Sequence, residues 1–191
     1  MTKVSEAGEV RDEKLDAEAE ARRLIALAQV RQYPDPVLRM KAHDIETHDA
    51  ELARLVERLS QLLEDANGLG LAATQIGVLR RVFVFHPDPE EEIVALVNPR
   101  VVDASEERIG DDEGCLSLDS VVMPVERHER VTVEATDPEG NDLRLELDGL
   151  AARIVQHEID HLDGVLILDR TTPEARREAL AVLRPQPVIA R

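Results

Sequence analysis

Residues 157–161 read His-Glu-Ile-Asp-His. Two histidines spaced by four face the same way only on a helix, where they lie one turn apart. The flanking residues agree with a helix there. Asp148 is placed to cap it, Leu150 to Leu162 fill it, and Gly164 stops it. Two imidazoles on one helix face can share a metal ion. Glu158, adjacent to the first, can reach a water beside such an ion without taking a ligand position. At this composition the pattern is expected by chance only roughly 0.02 times. The alternative is a pair of ordinary histidines on a helix whose neighbours Val155, Ile159 and Leu162 are apolar.

A catalytic metal of this kind wants a third protein ligand and one open position. The single cysteine, Cys115, lies in Glu113-Gly114-Cys115-Leu116-Ser117-Leu118, directly after Asp111, Asp112 and Glu113. A lone cysteine usually serves as a small buried hydrophobe. Three preceding acids disfavour a free thiolate but suit one beside a cation. Both readings stand on the residues alone. A Cys-His-His set would select a borderline-to-soft divalent metal over Mg²⁺ or Ca²⁺. One cysteine makes no internal disulfide, so nothing indicates an oxidising compartment.

Elsewhere the chain mixes helix and strand signals. Leu52, Leu55, Val56, Leu59, Leu62 and Leu63 recur at three and four, predicting an amphipathic helix from Asp49 to Asp65 that Asn67-Gly68 ends. A small-residue loop follows, Gly68 to Gln75. Arg81–Phe85 and Ile93–Val102 are β-rich, and Val131–Ala135 with Leu143–Leu147 reads as an antiparallel hairpin around Asp137-Pro138-Glu139-Gly140-Asn141. Thr172-Pro173 can start a last helix running to Leu183. Strands and helices do not alternate regularly, so the expected class is α+β, with antiparallel sheets packed around a central helix carrying the His-Glu-Ile-Asp-His motif. The 191 residues suit one domain with appendages. They divide into a charged, helix-forming extension at 1–29 closing on Leu24, Ile25, Leu27 and Ala28, a catalytic domain at 30–171, and a short helix and tail at 172–191.

The charge excludes some partners. A formal net charge of −17 repels phosphate backbones, and one Tyr and two Phe give few platforms for stacking bases, so direct nucleic-acid binding is not expected. Any substrate pocket must be built from aliphatic side chains and glycine backbone. No apolar run approaches the roughly 20 residues that span a bilayer. The acid-rich start does not read as a secretory or transit signal. The expected location is the cytoplasm.

Three segments together resemble the signature motifs of peptide deformylases, in the family's order: Gly68-Leu69-Gly70-Leu71-Ala72-Ala73-Thr74-Gln75, Glu113-Gly114-Cys115-Leu116-Ser117 and Gln156-His157-Glu158-Ile159-Asp160-His161. The resemblance covers about residues 30 to 170. It implies hydrolysis of the N-formyl group from formylmethionyl peptides of nascent chains, releasing formate. It also implies one divalent metal held by Cys115, His157 and His161. The implied ion is Fe²⁺ in the cell, with Zn²⁺, Ni²⁺ or Co²⁺ in purified protein. Glu158 is the implied general base and acid, while the Gln75 amide and the Leu116 backbone N–H meet the oxyanion. Gly68, Gly70, Glu113 and Gly114 border the peptide, Gly70 allowing close backbone approach. Leu69, Leu150 and Ile154 are candidates for the pocket that takes the methionine side chain, and Leu150 and Ile154 share a helix face with His157.

Two positions depart from the family pattern. Val122 stands where an arginine is usual, in Leu118-Asp119-Ser120-Val121-Val122, and Asn67 stands where many members carry an acid. Arg153, one turn before His157, is placed to pair with Asp111, Asp112 or Glu113. Two other readings stay open. One is a zinc metallopeptidase using Glu174 or Glu178 as third ligand; the other is a deformylase-like peptide-binding protein with little turnover. Nascent chains imply encounter near the ribosome. Arg176, Arg177, Arg184 and Arg191 against Glu174 and Glu178 give only a weakly basic C-terminal segment for docking there.

Overall fold

The computed structural model describes residues 6–88, 91–118 and 120–183. Among them are four α-helices: α1 (Glu6–Leu27), α2 (Ala50–Ala66), α3 (Gly149–Leu162) and α4 (Pro173–Leu183). Five strands form one antiparallel sheet, ordered β1 (Gly70–Ala72), β2 (Val82–Phe85), β3 (Val94–Ala104), β6 (Arg130–Thr136) and β7 (Asp142–Asp148). Two more, β4 (Arg108–Gly114) and β5 (Val122–His128), pair as a separate antiparallel ribbon.

Strand β2 shows how the layers arise. Successive side chains point to opposite faces of a strand. Val82 and Val84 pack with Leu52, Leu59 and Leu63 of α2. Phe83 and Phe85 pack instead with Ala152, Val155 and Leu162 of α3. The sheet is therefore covered on both faces, which explains a strand with no polar position. A third apolar cluster joins Val121, Met123 and Val125, in and before β5, to Leu166–Leu168 and Ala179 of α4. Helix α3 lies in the middle, touching β1, β2 and β7 as well as β5.

The helix ends show which local rules apply. Asp49 accepts from the N–H groups of Glu51 and Leu52 at 2.9 and 3.0 Å, capping α2. The stop of α2 is Asn67 itself, left-handed at φ 53°, and not Gly68. Asp148 occupies the capping position of α3, but its side chain makes no capping bond. The chain enters α3 straight from β7, and the Gly149 N–H donates to the Glu129 carbonyl at 3.1 Å. Gly164, at φ +73°, closes the other end, where a Cβ would lie 2.6 Å from the Arg39 carbonyl oxygen.

Two elements differ from the sequence reading. The ribbon β4–β5 was not legible as strands, because only Glu113 of β4 is buried and β5 turns Met123, Val125 and Arg127 inward around Pro124. The small-residue loop is ordered as β1 followed by a 3-10 turn over Ala73–Ile76. Helix α1 packs on α2 through buried Ala26 and half-buried Leu27, whereas Leu24 and Ile25 face solvent. Arg184 and Arg191 lie outside the described residues. No helix among the described residues is long and apolar enough to cross a membrane.

Candidate metal centre and active site

Helix α3 sets the two histidines one turn apart, with Nε2 atoms separated by 3.2 Å. The turn after β4 brings Cys115 to them, its Sγ 3.1 Å from His161 Nε2. That turn is fixed by the Leu118 N–H donating to the Cys115 carbonyl at 3.0 Å. The three ligand atoms lie within 4.8 Å of one another, and no other group among the described residues offers three such donors. Around a tetrahedral ion, nitrogens at about 2.0–2.1 Å and sulfur at about 2.3 Å stand roughly 3.3–3.6 Å apart. The residues present fit a metal with small adjustment. Glu174 and Glu178 are exposed on α4, and Glu174 pairs with Arg177. Neither belongs to the donor group.

A buried ionic network holds the cluster in place. Glu113 lies 3.0 Å from His157 Nδ1, which turns Nε2 toward the cysteine. The carboxylate is gripped by both arms of Arg127, at 3.0 and 3.0 Å, and by Arg153 at 2.7 Å. Arg153 thus selects Glu113 rather than Asp111 or Asp112. Arg127 also reaches Asp160, which Arg170 holds from the other side. Burial alone would raise the Glu113 carboxyl, but hydrogen bonds from His157 and Arg127 outweigh it and hold the group at about 2. The anion makes His157 Nδ1 the donor, leaving Nε2 free to bind a cation.

Glu158 faces the opposite environment. It is almost wholly buried, and burial pushes its carboxyl from 4.5 up to about 7. Its Oε2 has no hydrogen-bond partner among the described residues. Gly70 explains how the side chain fits, because a Cβ there would stand 2.4 Å from Glu158 Oε1. The glycine expected to admit a substrate backbone therefore makes room first for this carboxylate. Gln75 is fixed at both ends of its amide. Oε1 accepts from the Ala72 N–H at 2.8 Å, while Nε2 donates to Ser117 Oγ at 3.1 Å and lies 3.8 Å from Cys115 Sγ. The Leu116 carbonyl accepts from Gln32 at 2.8 Å, and its N–H has no acceptor among the described residues.

A cavity of about 430 Å³ opens over these groups. Gly68, Leu69, Gly114, Leu150 and Ile154 line it together with Glu158. Ile154 is buried, while Leu69 and Leu150 are 41% and 47% exposed, as a pocket mouth requires.

Residues 27–177 match the family model described as polypeptide deformylase. The chain belongs to the peptide deformylase family. The Peptide deformylase of Thermodesulfovibrio yellowstonii is 41% identical over 155 residues, covering 80% of this chain and 93% of that relative. That of Acidothermus cellulolyticus is 44% identical over 160 residues, covering 84% and 87%. A crystal structure of the peptide deformylase from Legionella pneumophila superposes with a TM-score of 0.77 at 37% identity, covering 81% of this chain and 91% of that one. Within this deformylase family, the departures noted in the sequence have local structural settings. Asn67 takes a left-handed conformation that asparagine tolerates well. Val122 opens β5 opposite Gly114 and is 66% exposed at the cavity rim.

Arg127, Asp160 and Ser117 are the supporting residues that sequence reasoning missed. The one available signal was the alternation Met123, Val125, Arg127, which turns an arginine inward on β5.

Proposed function

We propose that the chain hydrolyses the formyl amide of formylmethionyl peptides, using one divalent metal held by Cys115, His157 and His161. The observation that carries this reading is the convergence of one thiol and two imidazole nitrogens beside a buried carboxylate whose Oε2 has no partner among the described residues. When bound, such an ion supplies Lewis acidity and lowers the pKa of water to about 7. Fe²⁺ is the ion proposed in the cell, and the same thiolate-imidazole donors also accept Zn²⁺, Ni²⁺ or Co²⁺.

The chain's own residues supply the rest. Glu158, titrating near 7, takes a proton from the attacking water and returns it to the departing amine. The C–N bond of the formyl amide breaks, leaving formate and a free amino terminus. As the formyl oxygen gains charge it accepts hydrogen bonds from Gln75 Nε2 and the Leu116 N–H. Glu113 keeps His157 in one tautomer. Leu69, Leu150 and Ile154 cover an apolar first side chain, and Gly68 and Gly114 leave backbone accessible for the peptide. Residues 30–171 carry this chemistry, and nascent chains in the cytoplasm are the proposed substrates.

The test is formate release from formyl-Met-Ala-Ser by anaerobically iron-loaded protein. Glu158→Ala should lose roughly 10²–10⁴-fold, the range of a general acid–base group. Equal rates for the two proteins would overturn the assignment.

A further inference from the structure

The active-site cavity is not built by the catalytic core alone. Arg23 and Leu27, one turn apart on α1, line it together with Gly68, Leu69 and the site residues. Leu27 is anchored, since it packs against the apolar cluster beneath α2. Arg23 is different. It is partly buried, yet among the described residues it makes no hydrogen bond or ion pair. The other cavity-lining arginine, Arg153, is committed to Glu113 and to the carbonyls of Val125 and Ile109. Arg23 is thus the uncommitted cation on this cavity among the described residues. Position 122, where the family pattern carries an arginine, offers none.

Charge gives this position its consequence. At a net charge of −17 the molecule as a whole repels acidic peptides. Asp112, which lines the cavity from β4, adds to that locally. Glu64 and Asp65 border Arg23 in the groove between α1 and α2, but neither pairs with it. A guanidinium at the cavity edge is then the group that can favour a carboxylate, through paired N–H donors.

We propose that α1 is part of the substrate site, with Arg23 as a specificity-determining residue that favours formylated peptides carrying an acidic side chain beyond the first residue. This rests on the deformylase reading of the cavity. Leu27 supplies apolar wall, and Arg23 acts on binding rather than on the bond-breaking step. Its effect therefore falls on KM, with kcat little changed.

The experiment compares formyl-Met-Ala-Glu, formyl-Met-Glu-Ser, formyl-Met-Ala-Ser and formyl-Met-Ala-Lys on the metal-loaded full chain and on Arg23→Gln and Arg23→Glu. Binding of the same peptides to Glu158→Ala protein is measured calorimetrically in parallel, with and without the Arg23 changes. Wild type should favour one of the two acidic peptides over formyl-Met-Ala-Ser by roughly two- to five-fold in KM, the size of a partly exposed ion pair. The preference should shrink at 0.5 M salt. Arg23→Gln should abolish it, and Arg23→Glu should transfer it to formyl-Met-Ala-Lys. A helix that merely braces the fold would leave these ratios unmoved. Formate release with no acidic preference, or a preference that survives Arg23→Gln, overturns the role of Arg23 and leaves the deformylase reading intact. Absence of formate release from every peptide overturns that reading instead, and the calorimetric ratios then decide the Arg23 contact by themselves.

Discussion

Gly70 shows how a single missing Cβ controls the chemistry. The motif that contains it reads as a flexible loop, and the sequence suggests a glycine that lets a substrate backbone come close. Its surroundings show a more immediate need, because the space a Cβ would fill is already taken by the Glu158 side chain. Gly70→Ala should therefore displace the carboxylate while leaving the metal ligands alone. A misplacement of about 1 Å at a reacting group costs on the order of 10²-fold. The expected result is that loss in kcat with unchanged metal content and unchanged unfolding midpoint. Full activity in Gly70→Ala would show that Glu158 has room to spare. His157 and His161 were legible at this scale because helical periodicity is a local property. The setting of Gly70 was not, since Glu158 stands 88 positions further along the chain.

Among elements, the ribbon β4–β5 is tied to α3 by charge as much as by apolar contact. Arg127 from β5 bridges Glu113 of β4 and Asp160 of α3, and all three are buried. Removing Arg127 leaves Glu113 to Arg153 and Asp160 to Arg170, two buried carboxylates each short of one cation, which costs about 3–5 kcal/mol. Arg127→Met should lower the thermal midpoint by roughly 6–20 °C, at 2–4 °C per kcal/mol for a domain of this size. A change below about 1 kcal/mol in chemical denaturation would contradict the bridging role. This ribbon was also the least legible part of the fold. Strand signals rest on alternating apolar residues, and β4 buries a glutamate where such a signal would place a valine or isoleucine. By contrast α2, β2 and the hairpin β6–β7 follow ordinary periodicity, and the sequence places them within a few residues. The expected side-chain cap at Asp148 failed for a related reason. A distant backbone carbonyl, that of Glu129, takes the first N–H of α3.

Across the whole molecule, the fold brings together segments far apart in sequence. Gln75 comes from the turn after β1, Cys115 from the turn after β4, and the histidines from α3 packed between the sheet and the ribbon. Motif order made the family legible, but no local pattern places a thiol 3.1 Å from an imidazole 46 positions away. The lone cysteine is therefore the point on which the account turns. As a metal ligand it marks a deformylase-type centre; as a buried hydrophobe it would leave the two histidines needing a carboxylate from elsewhere. X-ray absorption at the zinc K-edge of zinc-loaded protein reads this directly. The account predicts one metal per chain with one sulfur at about 2.3 Å and two nitrogens at about 2.0–2.1 Å. A shell of nitrogen and oxygen alone, unchanged in Cys115→Ser, would contradict it.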